Sequence, residues 1–346
     1  MAGKLGAKLR RVRENLGLTQ EELAKAVGLS SEFISMLEIG KRFPSLESLR
    51  RISGFLKKDI GYFVQEPEED FQSLRRDKKL SQEAQAVIRR FERYCRDYLK
   101  LESLTSRRAE PAPQYQNVTA QSLAREERNR LGLGDEPIRD LFALLEISGL
   151  KLLRLAIPEK AKLSGLFVHF EAEQAGFALI DASQPFGDQL IIAAHEYAHY
   201  LRDRNAGPIL DNPDIFIEEY LPLYHPREKY AQTFALQFLV PPEKLNHMIQ
   251  KEIHSRTLHF EDVIFLKRYF GIKISTMLLI LHRRELIPPH RYHEYTSIDS
   301  TSFERSLFGD VSGEEKVPKG KARVTSSDRY KILGVAAYQK TSREKA

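Results

Sequence analysis

Two imidazoles and a carboxylate fall within five residues at His195-Glu196-Tyr197-Ala198-His199. Positions four apart share a face of a helix, so His195 and His199 can aim ring nitrogens at one point, as a metal ion requires. Glu196 projects beside that face, within reach of a water held by the metal rather than of the metal itself, where it is placed as a base. By chance a His-Glu-x-x-His is expected ~0.02 times in a chain of this length and composition. The flanks strengthen it: Leu190, Ile191, Ile192, Ala193, Ala194, Ala198 and Leu201 make the segment apolar on nearly every side. Unsatisfied imidazoles there are costly, and a bound cation removes the cost. The plain alternative is a pair of core histidines satisfied by other side chains.

A catalytic zinc takes three protein ligands and keeps one position for water, so a further His, Asp, Glu or Cys is needed. Glu228 is the best candidate. Pro226 suits a first helical turn, Pro241-Pro242 stops the helix, and Ala231, Phe234, Ala235, Phe238 and Leu239 recur at helical spacing between them. Glu228 lies three residues before Ala231 and extends that packing stripe by a turn. A solvated Glu favouring the helix dipole is the ordinary alternative. His225 and Asp203 are weaker candidates for the third ligand.

These residues carry a resemblance. His195-Glu-Tyr-Ala-His199, followed by Glu228-x-x-Ala231-Gln232-x-Phe234-Ala235-x-x-x-Leu239-Val240-Pro241, resembles the ImmA/IrrE family of metallopeptidases. It extends through Pro137 to Leu141, Ser164 to Leu166, Ile180-Asp181 and Tyr269 to Ser275, and so spans residues 131–290. The resemblance implies a zincin-like domain in which His195, His199 and Glu228 bind Zn2+ and Glu196 is the general base. Gln232 stands where the family commonly has Asn, and Tyr197-Ala198 where a small or apolar residue precedes Gly. Neither departure removes a ligand.

Residues 1–64 have another character. Twelve Lys and Arg against seven Asp and Glu leave +5 of the chain's formal +6 here, a balance that suits a phosphate backbone. Helical periodicity marks Leu5 to Asn15; Thr19 with Glu22 forms a capping box for a helix to Val27; Gly28 turns the chain; Ser30 and Ser45 cap two more helices. Thr19 to Ser30, Ile34 to Glu38 and Gly40 to Ser45 resemble the helix-turn-helix of the XRE family, whose second motif helix enters the major groove of double-stranded DNA. Ser31, Glu32, Ser35 and Met36 then stand near the start and middle of the recognition helix, none supplying a bidentate Arg to guanine, and Ser30 at its cap is counted with the DNA-contacting residues. Gln20, Arg10, Arg13, Lys41 and Arg42 are expected at phosphates. The alternative is a helical interaction module without DNA contacts.

The 346 residues suit two or three domains, and 42% hydrophobic content supplies real cores. The resulting fold class is mainly α with a small antiparallel β-sheet (α+β): an all-α helix-turn-helix domain (1–64), a charged helical connector (65–130), the zincin-like domain (131–290) and a polar, flexible tail (291–346). In the connector Gln65 to Asp70 is an acidic break, and Val87, Phe91, Tyr94, Tyr98 and Leu101 draw an apolar stripe that packs on the peptidase, pairs with a second subunit or stays a solvated spacer. Strands are expected at 152–156, 166–170 and 177–180, with an edge that an extended peptide could join; helices are expected at 260–270 and 274–281, and poor order from Thr296 to Ser327. No apolar run approaches ~20 residues, Met1 to Arg13 lacks a signal peptide's apolar centre, and the lone Cys95 excludes an internal disulfide and a thiolate site, all pointing to the cytoplasm without membrane partners.

Together these imply a DNA-binding zinc endopeptidase, with Tyr224, His225 or Tyr200 available to steady the oxyanion. The resemblance implies a transcriptional repressor as protein substrate, whose cleavage derepresses stress or mobile-element genes, and a homodimer. Two competing readings are a regulator whose zinc domain senses a ligand or partner without proteolysis, and an antitoxin-like or phage-defence binding component.

Overall fold

A computed structural model describes residues 2–56, 58, 60, 71, 74, 79–211, 226–253, 257–311, 325–326, 330–334 and 336–337. The chain divides into two compact units, Met1–Ser73 and Leu74–Ala346.

Four helices form the described part of the first unit: α1 (Ala2–Asn15), α2 (Gln20–Val27), α3 (Ser31–Glu38) and α4 (Leu46–Phe55). Their boundaries follow from local chemistry. Thr19 Oγ1 accepts from the Glu22 N–H at 3.1 Å while Glu22 accepts from the Thr19 N–H at 2.7 Å, the reciprocal capping box. Gly28 ends α2 at φ 67°, a left-handed conformation that a side chain would strain. Ser30 and Ser45 cap α3 and α4 by accepting from Phe33 and Ser48. Leu9, Val12, Leu23, Ala24, Val27, Ile34, Leu37, Leu49 and Ile52 fill the core. At its edge lies a buried charge pair: Arg13 donates to both carboxylate oxygens of Glu38 at 2.6 and 2.9 Å and to the Leu18 carbonyl at 2.7 Å. Arg13 is therefore an internal clamp and not the phosphate contact that its place in a basic helix suggests; the packing of α1 on α3 buries it.

The second unit runs α5 (Gln82–Thr105), α6 (Ala120–Arg130), α7 (Leu141–Ile147), β1 (Leu150–Leu155), β2 (Gly165–Phe170), β3 (Ala175–Asp181), α8 (Phe186–Arg202), β4 (Ile209–Asp211), α9 (Pro226–Leu239), α10 (Pro242–Met248), α11 (Phe260–Phe270), α12 (Ile274–Arg283), α13 (Pro289–Thr296), α14 (Ser300–Phe308) and β5 (Thr325–Ser326). The sheet order is β4-β2-β3-β1-β5. The class is α+β as expected, although β1 pairs with β3 in parallel while the other pairs are antiparallel. A tight turn makes β2 and β3 a hairpin; β1 reaches β3 only through a crossover, and so runs with it.

Every residue of β3 is buried, because both faces of the sheet are covered. Ala178 and Ile180 join the cluster around α8. Phe177, on the alternate face, meets Tyr98 and Tyr94 of α5 at ring centroids of 5.7 and 6.4 Å, and the Tyr94 hydroxyl donates to the Leu152 carbonyl at 2.9 Å. The apolar stripe of α5 thus packs on the sheet. Cys95 is buried in the same helix, where desolvation pushes its thiol well up.

The tail expectation needs correction. Residues 289–308 form α13 and α14, and the fully buried Glu304 accepts from Lys267 at 2.5 Å and Arg268 at 2.8 Å. Phe303 packs edge-on to Phe260 at 5.0 Å. A composition polar enough to read as disorder is here a helix whose few buried groups find partners on α11. Gln65 to Asp70 and residues 312–324 lie outside the described residues. Among the described residues no helix is long and apolar enough to cross a membrane.

Candidate functional site

Every residue of α8 from Gln189 to Leu201 is buried, so its polar side chains are held inside the unit. Tyr197 is accommodated by a polar pair on α6 and two rings on α9. Its hydroxyl donates to Glu127 at 2.9 Å and accepts from Arg130 at 3.1 Å, while its ring meets Phe234 and Phe238 at 6.1 and 5.8 Å. Those contacts set the rotation of α8 and the crossing of α9, and they bring the first turn of α9 to the His face.

Glu228 arrives there. His195 Nε2 and His199 Nε2 are 3.1 Å apart, and Glu228 Oε2 lies 3.2 Å from each. Donors ~2.0–2.1 Å from a tetrahedral zinc stand roughly 3.4 Å apart, so this triangle fits a single ion. The outer arrangement fits too. His199 Nδ1 is 2.8 Å from Asp203 Oδ2, the carboxylate that fixes a ligating imidazole's tautomer and orientation, and Arg227 donates to the second oxygen of Glu228 at 3.1 Å. Asp203 thus stands behind a histidine rather than at the metal position.

A fourth donor was not legible in the sequence. Asp211 Oδ2, at the end of β4, is 3.4 Å from His195 Nε2, and one donor atom from each of His195, His199, Asp211 and Glu228 lies within 4.8 Å of the others. Asp211 follows Gly207-Pro208 in a strand of three residues, too short for any alternation to register. Glu196 and Asp211 are fully or almost fully buried, and none of their four carboxylate oxygens has a hydrogen-bond partner among the described residues. Buried carboxylates around two facing imidazoles are a donor set that fits a cation.

The electrostatics agree. Burial opposes charge on His195, but Asp211 and Glu228 outweigh it and raise the ring to about 9. Burial would raise Glu228, yet His195 and His199 pull it well down; Asp211 is likewise lowered by His195 against its burial. Glu196 moves the other way, raised well above the usual carboxylate range by desolvation and then by the neighbouring Asp211. Gly165 of β2 makes room for it: a Cβ there would collide with Glu196 Oε1 and come within 3.2 Å of Asp211 Oδ2. Tyr200 is engaged elsewhere, its hydroxyl accepting from the Ala112 N–H at 3.2 Å. Tyr224 and His225 lie outside the described residues.

In the first unit, Ser31, Glu32, Lys41 and Arg42 are exposed and Ser35 is half-buried, on and just after α3. Arg42 lies 5.1 Å over the Phe33 ring. The Ser30 hydroxyl is occupied as the cap of α3. Gln20 donates to Glu38 at 2.7 Å, joining the Arg13 clamp, while exposed Arg10 pairs with Glu14.

A zincin-like centre on one unit and a helix-turn-helix on the other define the class of protein. Residues 9–63 match the helix-turn-helix family and residues 148–282 match the IrrE N-terminal-like domain, so the chain is an XRE-type helix-turn-helix domain fused to an ImmA/IrrE-type metallopeptidase domain. The 10 kDa protein of the ImmF control region of Bacillus phage phi105 is 39% identical over 57 residues, 16% of this chain and 63% of the relative, so the match spans less than two thirds of that protein. Among solved structures, the clp gene regulator ClgR from C. glutamicum is 35% identical over 17% of this chain and 78% of that one, with a TM-score of 0.17. Bacillus thuringiensis PlcR, in complex with the peptide PapR7 and DNA, is 16% identical over 89% of this chain and 96% of that one, with a TM-score of 0.19. Likeness at these TM-scores carries no argument about the arrangement of the chain.

Proposed function

We propose that this protein is a cytoplasmic DNA-binding regulator with zinc-dependent endopeptidase activity, which cleaves a transcriptional repressor and so derepresses stress or mobile-element genes. The observation that carries the reading is the triangle of His195, His199 and Glu228 with Glu196 buried beside it. His195, His199 and Glu228 would hold Zn2+, with Asp203 keeping Nε2 of His199 turned to the ion. Bound zinc supplies a Lewis acid that polarises a peptide carbonyl and eases ionisation of the attacking water. Glu196 takes the proton from that water at its carboxylate and returns it to the leaving amine. The enclosure of Glu196 by α8 and β2 keeps bulk water from competing for that proton. The first unit brings the chain to double-stranded DNA, with α3 presenting Ser31, Glu32 and Ser35 to the major groove and Lys41 and Arg42 near phosphates.

The test is cleavage of candidate repressors, beginning with any encoded beside the protein, by wild type and by Glu196→Gln. Loss of about 10²–10⁴ in rate with zinc content unchanged is expected, since that is the usual worth of a general base. Equal cleavage by both proteins removes Glu196 from the chemistry. A second reading, a regulator whose zinc domain senses a ligand or partner without cutting, is favoured by one observation, the fourth donor Asp211.

A further inference from the structure

The donor set at the centre is larger than a catalytic zinc uses. Three protein ligands with one open position characterise hydrolytic sites; four protein donors characterise closed ones. Resting on the metal reading above, we propose that Asp211 is a fourth protein donor to the metal, delivered by β4, and that it holds the peptidase in a closed, latent state from which it must withdraw before substrate is cut.

Three observations converge on Asp211. The first is distance: Asp211 Oδ2 is 3.4 Å from His195 Nε2, near the 3.1 to 3.2 Å edges of the triangle, and its donor atom lies within 4.8 Å of those of His199 and Glu228. The second is that nothing outside the cluster engages the side chain, whose near neighbours are His195 and Glu196. Asp211 is 2% exposed, and neither oxygen meets a hydrogen-bond donor among the described residues. A carboxylate so placed needs a positive charge close by, which a bound cation would supply once the imidazoles are its ligands. Two neutral imidazoles with the carboxylates of Glu228 and Asp211 match a divalent ion's charge, with Glu196 left outside that donor set.

The third observation is how the residue is delivered. Asp211 lies opposite Gly165 in the antiparallel pairing of β4 with β2. Its carbonyl accepts from the Ser164 N–H at 3.0 Å and from the Ser164 hydroxyl at 3.2 Å. The strand therefore seats the backbone on the edge of β2 next to Glu196, and the side chain is aimed inward by that register. An extended peptide adding to β2 would take those same ladder positions. The chain's own residues hold them, and one of these residues carries a metal donor. Peptide pairing to β2 and departure of Asp211 are thus one event, since β4 cannot leave the edge without removing its carboxylate from the cluster.

The experiment uses the full-length protein loaded with cobalt(II), whose visible absorption reports donor number and exchange. Azide is titrated into wild type, Asp211→Ala and Asp211→Asn, and zinc affinity is measured separately by competition with a chromophoric chelator. Azide should leave the wild-type spectrum unchanged at concentrations that saturate the Asp211→Ala spectrum, and zinc should bind that variant about tenfold or more weakly. The near-isosteric Asp211→Asn, which keeps the shape of the site, should also admit azide. Azide binding to wild type as readily as to the variants, with equal zinc affinities, overturns the proposal. The wild-type titration alone makes that decision if a variant does not fold. Wild type that takes up neither cobalt nor zinc overturns the metal reading itself, and with it this inference.

Discussion

Each unit buries a cluster of charge, and the two clusters are resolved in opposite ways. In the first unit, Glu38 accepts from Nε and Nη2 of Arg13 and from the amide of Gln20, so both its oxygens are occupied by neighbouring side chains. In the second, Glu196 and Asp211 are as deeply buried, yet none of their carboxylate oxygens meets a donor among the described residues. A buried ion pair that satisfies itself is architecture: it fixes how α1 crosses α3 and asks nothing of solution. A buried cluster of carboxylates around two facing imidazoles is a donor set that fits a cation. Satisfaction, more than burial or charge, distinguishes the structural cluster from the functional one.

The contrast can be broken most severely at Glu228. Glu228→Ala should abolish stoichiometric zinc in metal analysis of purified protein, whereas wild type retains it; equal zinc in both would move the third ligand elsewhere. Arg13→Ala should leave zinc untouched and destabilise the first unit by about 3–5 kcal/mol in denaturant unfolding, because it strands a buried carboxylate. Replacing the pair together, with Arg13→Met and Glu38→Leu, should restore most of that loss. Asp203→Asn keeps all the donors and disturbs only the orientation of His199, so zinc affinity should fall about 10–100-fold in a chelator competition. Thr19→Ala removes one cap from α2 and should cost about 1 kcal/mol of first-unit stability, with no effect on metal. If Arg13→Ala released zinc, or Asp203→Asn unfolded the first unit, the separation of roles would be wrong.

Much of the candidate site was legible in sequence because it is encoded within single helices. His195 and His199 are one turn apart, and Glu228 extends the stripe that seats α9 on α8. Asp203 could also have been placed better: four residues after His199 it shares that histidine's face, one turn toward the helix end, which suits Nδ1 and not the ion. Asp211 had no such signal. Its meaning depends on pairing with Gly165, forty-six positions earlier in the chain, through a strand of three residues. The helices of the first unit stand where their caps put them, but the fate of Arg13 did not follow from a basic helix, since a guanidinium that meets phosphate and one that clamps a carboxylate look alike until α3 is packed. The same holds for α14, where polar composition concealed one glutamate with two cationic partners on α11.

The sequence by itself determined what is written at helical spacing: where helices begin and stop, the Thr19 capping box, the left-handed turn at Gly28, the paired histidines with Glu196 beside them, and the glutamate that faces them. These depend on interactions within a turn or two of chain, whose partners are specified by periodicity. Only the tertiary structure decided which buried charges are paired, that β4 covers the edge of β2, and that Asp211 lies beside His195. A carboxylate's role is set by whatever lies within ~4 Å of it. That neighbourhood is chosen by strand register and helix crossing, which bring together residues far apart in the chain.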